Sequence, residues 1–120
     1  MSVRDYLNET LKPLLTAAPL KWVVYDHDRT LTNISRVTAI FVVESIEPGP
    51  ENGSLLHNVV LVIVDPTQDE AKAEDRLDDH MEDLIPALTA IPALTFTRAE
   101  KATKDNFPAW KITVQIKTTA

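Results

Sequence analysis

Apolar residues recur at steps of three and four along the first part of the chain, which is the spacing of one face of a helix. Ser2 and Asp5 have the spacing of a capping box at its start. We expect Pro19 to stop the helix and Pro13 to kink its last turn or to end it early. The pattern predicts a helix over residues 2–17, whose apolar positions are Val3, Tyr6, Leu7, Leu11, Leu14 and Leu15.

Five later segments are rich in β-branched, aliphatic and aromatic residues, which is typical of strands. Alternation in the second segment places Val37, Ala39, Phe41 and Val43 on one face and Ile40, Val42 and Ile46 on the other. In the last segment it places Trp110, Ile112, Val114 and Ile116 inward. Composition predicts turns at residues 47–53 and 106–108. The predicted strands cover residues 20–26, 36–47, 55–65, 94–103 and 110–118.

A second helix is predicted over residues 68–90, and Pro86 should bend it. Its apolar positions are Ala73, Leu77, Met81, Leu84 and Leu88. The predicted order is therefore α-β-β-β-α-β-β, with short links between successive strands. This order indicates a single α+β domain over residues 1–120, built on a mainly antiparallel sheet of four to five strands with two packed helices.

The third predicted strand is almost continuously apolar, which is typical of a strand that is covered on both faces. A chain of 120 residues has few elements to provide that cover. We therefore expect a partner subunit to supply part of it. Val60 and Val62 are the candidate interface residues in this strand.

The charge of the chain is concentrated in one segment. The formal net charge is −6, but residues 65–85 hold nine acids against Lys72 and Arg76, whereas all other residues together hold nine acids and ten bases. The acidic balance argues against broad binding to nucleic-acid phosphates. An acidic helix face would suit a basic partner, as in an adaptor protein, or would repel passing DNA. The candidate interface residues on this helix are Asp75, Asp78, Asp79, Glu82 and Asp83.

The absence of Cys excludes a disulfide scaffold, thiol catalysis and Cys-ligated zinc. Three His residues are present, and none lies three or four positions from another, so no helical metal-binding pair is predicted. Arg4, Asp5, Glu9 and Lys12 interrupt any signal-peptide core, and the longest apolar run is too short for a membrane span. We therefore expect no catalytic, cofactor or metal-binding residues and no membrane contact.

One segment nevertheless resembles the first motif of haloacid-dehalogenase-type phosphatases, namely WVVYDHDRTLT at residues 22–32. The resemblance implies that Asp26 is the nucleophile, that Asp28 is the general acid/base, and that Mg²⁺ bridges carboxylate and phosphate. However, Arg29 stands where those enzymes have Gly, and their doubly wound parallel sheet is not the predicted fold. A magnesium-dependent phosphatase remains the alternative to a structural role.

The chain as a whole resembles the tail terminator proteins of long-tailed bacteriophages, particularly those of actinobacterial hosts. The resemblance covers nearly the full chain and is weakest around Asp26 and Asp28. It rests on MSVRDYL at residues 1–7, VIVDP at 62–66, AKAEDRLDDH at 71–80, AIPALTF at 90–96 and AWKITV at 109–114.

This resemblance implies a structural virion protein of the lambda terminator type, without enzymatic activity. Such a subunit forms a ring, expected to be hexameric, that caps the tail tube and stops its polymerisation. The ring also provides the docking surface for the head–tail connector, and DNA passes through its lumen without specific binding. The implied partners are further copies of the chain, the tail tube protein and the connector. The implied location is the virion tail, assembled in the host bacterial cytoplasm.

Overall fold

The computed structural model describes residues 2–17, 20–67 and 70–119. Its first element is a helical segment in three parts: α1 (Val3–Tyr6), a π-helical turn (Leu7–Leu11) and α2 (Lys12–Thr16). The predicted capping box is present, because the Ser2 hydroxyl accepts from the Asp5 amide and the Asp5 carboxylate accepts from the Ser2 amide. Pro13 lies in the first turn of α2, where its missing N–H costs little. The predicted stop at Pro19 lies outside the described residues.

Five strands form one sheet in the order β1-β2-β3-β5-β4. Three neighbouring pairs are antiparallel, namely β2 with β3, β3 with β5, and β5 with β4. The predicted α+β class with a mainly antiparallel sheet is therefore confirmed. The strands are β1 (Val23–Tyr25), β2 (Thr38–Pro48), β3 (Ser54–Val64), β4 (Leu94–Lys104) and β5 (Phe107–Thr119).

The link between β1 and β2 departs from the prediction that successive strands lie antiparallel. β1 pairs with Thr38–Ile40 of β2 in parallel orientation. Parallel neighbours need a crossover of a dozen or more residues, and residues 26–37 supply one without a helix. These residues pack across one face of the sheet. We call this side the loop face and the opposite side, which carries the helices, the helix face.

The helix face holds the main core. The third helix, α3 (Glu70–Thr89), packs its predicted apolar positions against the sheet beside the N-terminal helical segment. Its predicted start at Gln68 lies outside the described residues. Among the described residues, no helix is both long and apolar enough to cross a membrane. The strands contribute residues that alternation assigned to one side, including Phe41, Ile112, Val114 and Ile116, together with Leu61 of β3.

The predicted side of Ile46 is wrong, because β2 contains a bulge. Pairing with β3 is regular up to Val43 and shifts before Ser45, so one residue of β2 has no direct partner. An extra residue reverses the side on which every later side chain lies. Ile46 therefore pairs with His57, and its side chain lies on the helix face. The prediction had placed it on the other face, with Ile40 and Val42.

The turn between β4 and β5 also lies earlier than predicted. Asp105 and Asn106 form it, and both have positive φ, at 49° and 69°. These angles are typical of a two-residue hairpin turn, which favours Asn, Asp and Gly. Phe107 and Pro108, which were predicted as turn residues, instead belong to β5.

Candidate assembly surfaces

The exposed side of α3 carries a continuous acidic surface. The predicted interface residues Asp75, Asp78, Asp79, Glu82 and Asp83 are all exposed, as is Glu74. We call these six residues the acidic face. Asp65 does not belong to it, because this carboxylate is completely buried at the end of β3.

A single base from the neighbouring strand reaches the acidic face. The Nζ atom of Lys101 lies 3.9 Å from a carboxylate oxygen of Glu74 and 3.9 Å from one of Asp78. It also lies 5.8 Å from the centre of the Trp110 ring. Lys101 and the two bases of α3, Lys72 and Arg76, cannot balance six carboxylates, so the face keeps a net negative charge.

Val60 and Val62 lie on the opposite side of the sheet from the acidic face, so the structure does not join the two sets of predicted interface residues. Both are buried within the single chain, at 6% and 5% exposure. Leu31 from the crossing link, together with Ala109, packs in the same apolar cluster. Residues 26–37 therefore supply part of the cover on this side of the sheet from within the single chain, through Leu31 and Ile34.

The hairpin of β2 and β3 ends in an apolar surface that the sequence analysis missed. Ile46 is 57% exposed and Leu55 is 44% exposed, and they are the large hydrophobic residues described as exposed. They lie near each other on the helix face, because Ile46 pairs with His57, two positions from Leu55. We call these two residues the apolar tip. The alternation pattern hid it by assigning Ile46 to the other face.

The turn at the end of this hairpin is closed by local hydrogen bonds. The Gly49 amide donates to the Ser54 carbonyl at 3.0 Å, and the Ser54 hydroxyl donates to the Glu51 carbonyl at 2.7 Å. Lys117 of β5 forms an ion pair with Glu51. The apolar tip is therefore presented on an ordered hairpin.

Asp26 and Asp28 of the phosphatase-like segment line the same surface pocket, but their carboxylates have different partners. Asp26 accepts from the Asn8 side chain at 3.2 Å and lies 2.9 Å from Nδ1 of His27. The bonds to His27 and then Asn8 lower the pKa of Asp26. Asp28 instead pairs with Lys104 at 3.1 Å. Each carboxylate therefore has a partner that fixes the link to the rest of the fold.

Lys104 connects the crossing link to the turn between β4 and β5. Burial alone would lower the pKa of Lys104, but its hydrogen bond to Asp28 and the charges of Asp28 and Asp105 raise it. Asp105 accepts from the Leu31 amide at 2.7 Å, and this bond is the main reason that the pKa of Asp105 is lowered. The charged residues of this region thus hold the link in place.

Among residues 2–17, 20–67 and 70–119, no three His, Asp or Glu side chains are arranged to hold a metal ion. The sequence matches no protein-family model. It also has no significant match among curated proteins. The surfaces themselves, an acidic helix and an apolar hairpin, are therefore the basis for assigning a function.

Proposed function

We propose that the chain is a structural subunit of a bacteriophage tail, of the tail terminator type. In this role several copies form a ring, expected to be hexameric, at the end of the tail tube. The ring stops tube polymerisation and offers a surface to the head–tail connector. The segments that resemble tail terminators and the α+β fold both support this proposal.

The observation that carries the proposal is the apolar tip. Ile46 and Leu55 lie side by side, and a contiguous exposed apolar patch, unlike a single exposed residue, marks a surface that can be buried in an assembly. A cyclic ring needs two different patches on each subunit, because its contacts are heterologous.

In such a ring, the acidic face can either line the lumen or face the adjoining ring. If it lines the lumen, it repels DNA phosphates within a Debye length of about 8 Å and lets the DNA pass without sticking. If it faces the adjoining ring, it contacts a basic surface there. Either position keeps the six carboxylates away from the subunit contacts.

Light scattering of the purified protein, combined with electron microscopy, tests the ring. We expect ring particles for the unmodified chain and a shift toward monomer for the double variant Ile46→Asp/Leu55→Asp. Lys12→Asp is the control, because Lys12 is exposed on α2. In a virus that lacks the protein, tails of abnormal length without heads are expected, and normal head-joined tails would contradict the proposal.

A second candidate is an adaptor that binds a basic protein through the acidic face, and the exposure of all six carboxylates favours it. In that case Asp75→Lys/Asp79→Lys/Asp83→Lys should abolish binding to a basic partner, and added salt should weaken binding of the unmodified chain. The ring proposal instead expects this variant to keep its subunit contacts. The size of the particles in solution therefore separates the two functions.

A further inference from the structure

The outer edge of β2 is only partly covered. β1 pairs with Thr38–Ile40, and the Arg4 side chain then donates to the carbonyls of Asp26 and Phe41. Beyond this point, no described strand lies beside residues 42–48. At about 3.3 Å per residue, the open edge is about 23 Å long.

The opposite edge of the sheet is open along its whole length. β4 pairs with β5 on one side, and no described strand lies on its other side. Unpaired edges present rows of N–H and C=O groups that can pair with another chain. The chain thus offers two open edges, one at each end of a single sheet.

The two edges complement each other in charge. β2 contains Glu44 and Glu47 and no base. On β4, Lys101 lies on the helix face and Lys104 is paired with Asp28. Arg98 is therefore the base that β4 offers on the loop face, where it lies 2.8 Å from Glu100. Glu47 faces the loop side, because it pairs with Leu56, and Arg98 faces the same side through its pairing with Thr113. Two copies of the β2 edge would bring acids together, so contact between unlike edges is favoured.

On the helix face, both edges carry apolar side chains that could pack together. Ile46 of β2 is exposed there, and Phe96 of β4 is partly exposed on the same side of the sheet. If β2 of one copy lay antiparallel to β4 of another with Ile46 opposite Phe96 on the helix face, Glu47 would be a diagonal neighbour of Arg98 on the loop face. Cross-strand pairs of both kinds stabilise a sheet.

We propose that residues 42–48 of β2 in one copy pair with β4 of the next copy, so that the sheet continues from subunit to subunit. The proposal rests on the ring described above and identifies its subunit contact. β2 and β4 run in opposite directions within the sheet order, so the contact is antiparallel when both copies keep their helices on the same side. Unlike edges give a heterologous contact, as a ring requires.

The absence of Cys from the chain allows a direct test by cross-linking. Glu47→Cys protein is mixed under oxidising conditions with protein that carries one Cys on the loop face of β4. Residues joined by a disulfide have Cα atoms about 4.4–6.8 Å apart, so only positions near Glu47 in the contact can react. Five single variants sample the possible registers along the strand: Thr95→Cys, Arg98→Cys, Glu100→Cys, Ala102→Cys and Lys104→Cys.

We expect one β4 position, or two adjacent ones, to give a cross-linked dimer with Glu47→Cys. No β4 variant and no Glu47→Cys protein should cross-link alone. Glu82→Cys on the exposed side of α3 is the matched control and should not react with Glu47→Cys. Circular dichroism confirms that each variant is folded before it is mixed.

The outcomes separate this contact from the ring itself. Rings without cross-linking at any β4 position would overturn the edge contact and leave the ring proposal in place. Cross-linking of Glu47→Cys protein alone would also overturn it, since this would indicate pairing of like edges. A monomer at every concentration tested would overturn both proposals.

Discussion

The guanidinium of Arg76 lies 3.4 Å from the carboxylate of Asp65, which is completely buried where β3 ends. The distance is that of an ion pair, and this carboxylate oxygen makes no hydrogen bond. The other oxygen accepts from the Thr67 amide at 2.7 Å, and Arg76 also donates to the Thr67 hydroxyl at 2.8 Å. Arg76 thus ties α3 to the end of the central strand.

Arg76→Met should lower the free energy of unfolding by about 1–3 kcal/mol, because it leaves the Asp65 carboxylate buried without its ion pair. The Met side chain keeps most of the aliphatic stem of Arg. Lys12→Met is the control and should change stability by no more than about 0.5 kcal/mol, because Lys12 is exposed. Urea unfolding curves measure the unfolding free energy of both variants. An equal loss in Arg76→Met and Lys12→Met would contradict the role of Arg76.

Two partly enclosed His residues should make stability depend on pH. Burial lowers the pKa of His57 and is also the largest cause for His80, where the charge of Asp65 acts in the opposite direction. The unfolded chain, with a His pKa of about 6.5, then binds more protons than the folded chain as pH falls. Stability contributed by these groups is present above about pH 6.5 and is lost as pH falls below it.

His57→Gln/His80→Gln should flatten the change in unfolding free energy between about pH 6.5 and 5. Asn52→Gln is the control and should retain the slope, because Asn52 is exposed and does not titrate. The lowered pKa values of Asp26 and Asp105 contribute at lower pH, since that stability is lost only as pH falls through the carboxylate range. Chemical unfolding at several pH values gives the change of unfolding free energy with pH for each variant. If this slope were as steep in the double variant as in the unmodified chain, the His explanation would be ruled out.

Asp105→Ala should release the crossing link, because Leu31 loses the acceptor of its backbone amide. The measurement is hydrogen exchange at the Leu31 amide, which is expected to become faster. Asp105→Asn keeps an acceptor oxygen and a residue type that tolerates positive φ, so it should preserve most of the protection. Unchanged exchange in Asp105→Ala would show that packing alone holds the link.

Gly49→Ala should destabilise the hairpin that presents the apolar tip. An added β-carbon at Gly49 would lie 2.9 Å from Cβ and 3.0 Å from the carbonyl carbon of Ser54, so the hairpin must shift. We expect a loss of about 1–3 kcal/mol in thermal or urea unfolding. Asn52→Ala, in the same turn, is the control and should have little effect, and a Gly49→Ala protein as stable as this control would show that the turn adapts freely.

Alternation predicted the sides of the regular strands but not the position of their irregularities. It assigned Ile112, Val114 and Ile116 correctly, because a strand without a bulge keeps its period of two. It misplaced Ile46, because nothing in the residues around Val43 indicates that one position has no partner in β3. The turn at Asp105 was placed too late, since Pro108 is a strong turn signal that a strand can also contain near its start.

The candidate contact surfaces show a similar division. The charge of the acidic face could be predicted, because exposed carboxylates on a helix are visible in composition alone. The open edge of β2 could not, because it depends on strand order and on β1 ending at Tyr25. The cover of Val60 was assigned partly to a partner because a link of irregular structure gives no apolar pattern, although Leu31 within it is buried.

The short ladder between β1 and β2 has a consequence for the N-terminal helical segment. β1 joins this segment to the sheet through only three paired residues. In contrast, Leu7, Leu11 and Leu15 of the segment are completely buried in the core on the helix face. Its attachment therefore depends mainly on apolar burial, whose strength decreases on cooling. Low temperature should loosen this segment more than the long antiparallel ladders, so strands β2 to β5 would be the more cold-resistant part of the molecule.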